Sequence, residues 1–165
     1  MFSVRRQRLQ LKRGVIGVIS DTHGLLRPEA LSALKNAELI VHAGDIGNSQ
    51  VIESLKQLAP VLAIRGNNDR GAWSRSLPDV FNLCVNRVKL QVIHNVHDLT
   101  ENSLENGVRA VISGHSHMPA IRRTDEILYL NPGSAGPRRF RLPVALGMIY
   151  LHGQKIRARI IELQV

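Results

Sequence analysis

Cysteine and aromatic residues are scarce in this chain. Its single cysteine, Cys84, excludes an intramolecular disulfide and fits a reducing compartment, so a cytoplasmic protein is expected. Cys84 sits in the strand-like run FNLCVN and reads as a packing thiol. Aromatics make up 4% of the residues. Long apolar runs are missing too: no stretch approaches the ~18–20 residues of a membrane span, so no membrane partner is expected. The N-terminal segment has no apolar core or small-residue cleavage site, which speaks against a secretory signal. Acids are absent from the first thirteen positions, which hold Arg5, Arg6, Arg8, Lys12 and Arg13 and much of the formal net charge of +9. A basic arm for nucleic acid is one reading of this run. No aromatic lies between these charges for stacking on bases, and a flexible, solvated leader over 1–13 is the expectation adopted. The remainder, 14–165, is expected to be one domain, long enough to bury a core.

What is present alternates between apolar runs and short polar turns. Val15–Ile19 is a continuous apolar run, as in a strand covered on both faces. A helix is expected to open near Pro28, where proline is tolerated in the first turn. Runs over 39–41 and 61–64 read as further strands, with a helix between them capped by Ser49. This β-α-β-α-β opening predicts a parallel sheet. The runs Val80–Val85 and Val88–Ile93 flank Asn86-Arg87, which predicts a hairpin. A short helix is expected over 100–106, stopped by Gly107, followed by strands at 110–113, 127–130, 144–151 and 156–163. So many strands exceed one helix-covered sheet, and two sheets packed face to face with helices outside are expected.

Residues with metal-binding side chains recur where these runs end. They are Asp21 and His23 in SDTHG, Asp45 in AGD, Asn67 in GNND, His94 in VIHN, and His115 and His117 in SGHSH. An open α/β sheet gathers ligands at the carboxyl ends of its strands, so residues distant in sequence can meet in one crevice. Two carboxylates, one amide and four imidazoles suit a pair of divalent cations better than one. Mixed imidazole and oxygen donors favour manganese, iron, nickel, cobalt or zinc over calcium. Three histidines stay outside the set. His42 reads as a supporting residue beside Asp45, His152 as part of the last hairpin, and His97 as the weaker alternative to His94, which stands directly at a strand end.

The ordered blocks D-x-H, GD, GN-x-D, a lone histidine after a strand, and GH-x-H, followed by Asn131-Pro132-Gly133-Ser134, resemble the calcineurin-like metallophosphoesterase superfamily, and within it the small YfcE-type phosphodiesterases. The resemblance runs from Val15 to the C-terminus. It implies an αββα sandwich of two mixed sheets and a binuclear centre with manganese as the first candidate. By position, Asp21, His23 and His117 would hold one ion, Asn67, His94 and His115 the other, with Asp45 bridging. The implied activity is phosphodiester hydrolysis by a metal-bridging hydroxide, on a small phosphodiester substrate. Nucleic acid is a less favoured substrate, and a homo-oligomer is left open.

One position departs from the pattern. Many superfamily members carry histidine after the GN pair, as proton donor or phosphate grip, whereas this chain has Asn68. An amide donates a hydrogen bond but no proton near neutrality. Asn68 and Arg70 are the candidate substrate-binding residues. Arg65, Arg138, Arg139 and Arg141 are further cations suited to phosphate. Trp73 is either a wall for an aromatic group or a packing residue. The substitution at Asn68 gives weight to a scaffold reading, as for the retromer subunit of this superfamily, and the basic leader gives some to a small nuclease.

Overall fold

The computed structural model describes the whole chain, Met1–Val165. In chain order its elements are β1 (Val4–Leu9), β2 (Val15–Ile19), α1 (Pro28–Leu34), β3 (Leu39–His42), α2 (Ser49–Lys56), β4 (Val61–Ala63), β5 (Val80–Val85), β6 (Val88–Ile93), β7 (Val108–Ile112), β8 (Ala120–Thr124), β9 (Ile127–Asn131), β10 (Ala145–His152) and β11 (Lys155–Glu162). They make a five-stranded sheet in the order β11-β10-β2-β3-β4 and a six-stranded sheet in the order β1-β5-β6-β7-β9-β8. Strands β2, β3 and β4 run parallel, as the opening pattern predicts, and β10 joins them antiparallel. In the other sheet β6, β7 and β9 are parallel, while β5 and β8 are antiparallel to their hairpin partners.

The sheets bury their facing sides against each other. Ile16, Val18, Leu39 and Val41 of one pack with Leu83, Leu90, Ala110 and Leu128 of the other. On the outer face of the five-stranded sheet, Leu34 of α1 and Leu55 of α2 cover Ile19, Ile40 and Leu146. Full burial of each such side chain contributes about 1.5–3 kcal/mol, so the two faces supply most of the driving force for folding. The expected two-sheet α/β sandwich is therefore the fold. Its outermost layer over the six-stranded sheet is thin: Val80, Ile93 and Val111 are covered by Val96, Leu99 and Leu104 rather than by an α-helix.

Four local expectations are corrected. Residues 100–106 form a turn, not a helix, because the Thr100 and Ser103 side chains bond one another and each other's backbone N–H, a local alternative to helical bonding. A 3-10 turn, Val96–Asp98, precedes it. Helix α2 is capped by Asn48, whose Oδ1 accepts from Val51 N–H at 3.3 Å, and not by Ser49. Strand β8 escapes the sequence pattern because AIRRT is mostly exposed and its turn, Asp125-Glu126, lacks the usual asparagine or glycine despite left-handed φ values of 50° and 65°. Finally, the leader is not a solvated arm: Val4–Leu9 pairs in parallel with β5 along its full length. Arginines on an edge strand protect its open side from further pairing, which gives such a strand the composition of a disordered leader. Arg5 bonds the Ser76 carbonyl at 2.9 Å, and Arg6 pairs with Glu105 at 3.3 Å.

The loops after β2 and β3 are joined by His42. Its Nε2–H donates to Thr22 Oγ1 at 2.9 Å, its Nδ1 accepts from Gly44 N–H at 3.3 Å, and the Thr22 hydroxyl donates on to the Ile46 carbonyl at 2.8 Å. Burial drives the pKa of this fully enclosed ring down to about 3 from its ordinary 6.5. Between those two values the unfolded chain binds a proton that the folded chain does not. The stability due to His42 is thus full above 6.5 and is lost as pH falls toward 3. His42→Phe is expected to cost about 2 kcal/mol near neutral pH. The gap to the parent should narrow by up to ~1.4 kcal/mol per unit as the pH is lowered. Urea unfolding at two pH values in the presence of a chelator checks both the loss and its sign.

Candidate metal centre

All seven predicted ligands follow strand ends on one side of the sandwich. Asp21 and His23 follow β2, Asp45 follows β3, Asn67 follows β4, His94 follows β6, and His115 and His117 follow β7. The first three strands are parallel neighbours in one sheet and the last two in the other, so the loops face each other across the open end of the core. They also bond directly. Asp21 N–H donates to Gly44 O at 3.0 Å, His23 N–H to Asp45 O at 3.0 Å, and Gly114 N–H to His94 O at 2.9 Å.

Two groups of donor atoms result. In the first, His117 Nε2 lies 3.3 Å and His23 Nε2 4.0 Å from Asp21 Oδ1, and the two rings stack with their Nε2 atoms 3.4 Å apart. In the second, Asn67 Oδ1 lies 3.0 Å from His94 Nε2 and 3.1 Å from His115 Nδ1. Asp45 stands between them, its Oδ2 3.8 Å from His23 Nε2 and 3.5 Å from His94 Nε2. Asp21, Asp45, His94 and His117 are buried, whereas Asn67 and His115 are exposed at the mouth.

The donor set fits a cation. Asp21 Oδ1 is buried without a hydrogen-bond donor, while its Oδ2 takes the Ser20 hydroxyl at 2.7 Å and His115 N–H at 3.0 Å. A buried carboxylate oxygen left unpaired is unfavourable unless a positive charge meets it. Burial alone would raise the Asp21 pKa, but the His117 ring close to Oδ1 and the Ser20 hydroxyl on Oδ2 outweigh it and hold the carboxyl below its ordinary range. Asp45 is likewise pushed up by burial and pulled further down by His94 and Asn68. For His94, burial opposes the proton, yet Asp45 and the Ala43 carbonyl raise its pKa overall. That carbonyl accepts from His94 Nδ1–H at 2.7 Å, which leaves Nε2 turned to the site in ligating form.

The remaining candidates divide. Asn68 is exposed beside Asn67 but engaged: its backbone N–H donates to Asp45 Oδ1 at 2.9 Å and its Nδ2 to Asp45 Oδ2 at 2.7 Å. It positions a carboxylate, a role that its residue type alone does not reveal. Arg65 is taken up by Asp79, with Nη2 at 2.6 Å, and is not free for phosphate. Arg70 is exposed on the same loop. Arg138 reaches the Val165 carbonyl at 3.4 Å, and neither Arg139 nor Arg141 lines the clefts beside the ligands. Trp73 packs against the core under the helices, which settles it as a packing residue. His97 lies in the exposed 3-10 turn, outside both donor groups.

Sequence reasoning missed the frame around the ligands. Asn131 Nδ2 donates to Gly114 O at 2.7 Å and Ser134 Oγ to Asp21 O at 2.9 Å, so the NPGS turn braces both the first and the last ligand loop. Asp69 receives Gly47 N–H at 2.9 Å and Gly66 N–H at 2.8 Å, tying the second loop to the third. Gly66 lies so close to Asp45 that any side chain there would collide with its backbone nitrogen. The sequence signal for these residues was their place inside the same polar turns.

Comparison with known proteins agrees with this geometry. The family model for the calcineurin-like phosphoesterase superfamily domain matches residues 15–154. A probable metallophosphoesterase of Methanocaldococcus jannaschii is 37% identical over 163 residues, covering 91% of this chain and 82% of that protein. Phosphodiesterase YfcE of Escherichia coli K12 is 27% identical, covering 79% of this chain and 84% of that one. Among solved structures, vacuolar protein sorting 29 from Cryptosporidium parvum aligns with a TM-score of 0.72 at 16% identity, covering 92% of this chain and 98% of that one, a likeness of fold alone. With five ligand-bearing loops in family order and a domain match over most of its length, this chain belongs to the calcineurin-like phosphoesterase superfamily.

Proposed function

We propose that this chain is a divalent-metal-dependent phosphodiesterase acting on a small phosphodiester, with two ions and manganese as the first candidate. The observation that carries the reading is the position of Asp45, one carboxylate oxygen of which faces both donor groups. Asp21, His23 and His117 would hold one ion, and Asn67, His94 and His115 the other. When bound, such ions supply Lewis-acid charge for a phosphate and lower the pKa of water toward neutrality.

The chain's own residues set the rest. Asn68 fixes both oxygens of Asp45, and the Ala43 carbonyl fixes the tautomer of His94. Only two of the seven ligands are carboxylates, so the site keeps a positive surplus that attracts an anionic substrate. Exposed Asn67 and His115 mark where that substrate enters. With Asn68 engaged on Asp45 and unable to deliver a proton, the leaving group departs without general-acid help from this position. Good leaving groups should therefore dominate the substrate range.

The likeness to vacuolar protein sorting 29 supports a second reading, a scaffold on the same fold. The basic leader cited for the nuclease reading is an exposed edge strand rather than a free arm, with Arg5 and Arg6 bonded to Ser76 and Glu105. Steady-state kinetics with manganese separate the readings. Turnover of bis-p-nitrophenyl phosphate is expected, with alkyl esters slower by about 10²–10⁴-fold, the usual worth of a general acid. Asp45→Asn should lower the rate by more than ~100-fold. No turnover with manganese or the other candidate metals, in protein that binds them, would favour the scaffold.

A further inference from the structure

The N-terminal strand does more than close a sheet edge. Residues 1–14 lie outside the segment that matches the family model. Their start is fastened firmly. Ser3 donates to Asp79 Oδ2 from its N–H at 2.8 Å and its hydroxyl at 3.0 Å, and its carbonyl accepts from Asp79 N–H and Val80 N–H at 3.0 Å each. Asp79 Oδ1 in turn holds Arg65 at 2.6 Å. Burial would raise the Asp79 pKa, but Ser3 N–H and Arg65 outweigh it, so the carboxylate stays charged and the fastening holds across the neutral range.

This fastening places Phe2 in the lining of a cleft that extends to the candidate metal centre. That cleft of about 310 Å³ is lined by three candidate ligands, Asn67, His94 and His115, and by Phe2, Asn95 and Asp98. Phe2 remains 47% exposed, an aromatic ring with a free surface in a chain that has few aromatics. The other charged residues of the cleft are Asp69, Asp79 and Arg65. Arg65 neutralises Asp79, and Asp69 is buried with its oxygens taken by Gly47 and Gly66 N–H, which leaves exposed Asp98 as the acid of the cleft open to a ligand. Asp98 offers oxygen acceptors for ring N–H or amino groups, while Asn95 Oδ1 is taken by His97 N–H at 3.1 Å.

We infer that this cleft is a subsite for one ester arm of the substrate, an aromatic ring that stacks on Phe2 while the phosphate lies at the ligands. The inference rests on the phosphodiesterase reading for the place of the phosphate. The ring is that of an aryl ester or of a nucleoside, and both share the flat π-face that an exposed phenylalanine recognises.

Equilibrium binding to the manganese-loaded protein tests it. Diphenyl phosphate should bind more tightly than dimethyl phosphate, and Phe2→Ala should shrink that preference by about tenfold, as expected for loss of one stacking partner. Phe2→Trp should keep the preference, which shows that the ring and not the strand is responsible. A dinucleoside monophosphate serves as a third ligand. If it loses more affinity than diphenyl phosphate in Phe2→Ala, the arm is a nucleoside; if less, a simple aryl group. An equal preference in the parent and in Phe2→Ala would overturn the subsite. Absence of turnover in a protein that retains the ring preference would instead sink the phosphodiesterase reading and leave the subsite standing.

Discussion

Left-handed backbone at the candidate metal-binding loops is the constraint on which the site depends. Asp21, His23, Asp45, His115 and His117 all have φ between 46° and 69°, a region that side chains with a Cβ occupy at a penalty on the order of 1 kcal/mol each or more. The other non-glycine residues with positive φ are two hairpin turns, Asn86-Arg87 and Asp125-Glu126, and exposed Phe140. Outside ordinary turns, then, the unfavourable backbone is concentrated where the ligands stand. What holds it is a mesh of loop-to-loop hydrogen bonds: Asp21 and His23 to the loop after β3, Gly114 to His94, and His115 N–H to the Asp21 carboxylate. Each ligand loop is thus held by its neighbours as well as by bonds within itself.

The sandwich makes that mesh attainable. Parallel strands place three ligand loops at one end of the five-stranded sheet and two at the same end of the six-stranded sheet. Full burial of the facing sides fixes the separation of the sheets, and with it the reach of His94 Nδ1 to the Ala43 carbonyl in the other sheet. The brace from Asn131 to Ser134 and the link through neutral His42 then lock the loops in register. The layer over β6 and β7 is made of turns, and this leaves room beside His94 and His115 for the cleft into which Phe2 projects.

The seven candidate positions that converge in the fold were legible because each pairs a side chain able to ligate with the end of an apolar run, and the core strands were legible because continuous burial leaves continuous apolar sequence. Features governed by specific hydrogen bonds were not. Thr100 and Ser103 close a turn where the local composition suits a helix, and Asn48 takes the cap expected of Ser49. β1 and β8 are charged edge strands, exposed along most of their length, and so carry no periodic signal. The grip of Asn68 on Asp45 and the pairing of Arg65 with Asp79 depend on which residue lies opposite, which only the folded loops decide.

The proposal as a whole turns on Asp45 serving two adjacent cations. Calorimetric titration of the chelator-stripped protein with manganese tests this most directly, supported by metal analysis of the recovered complex. The account predicts two ions bound per chain, with proton release as His94 gives up the proton that its raised pKa favours, and loss of at least one ion in Asp45→Asn. A single ion bound identically by the parent and by Asp45→Asn would contradict it.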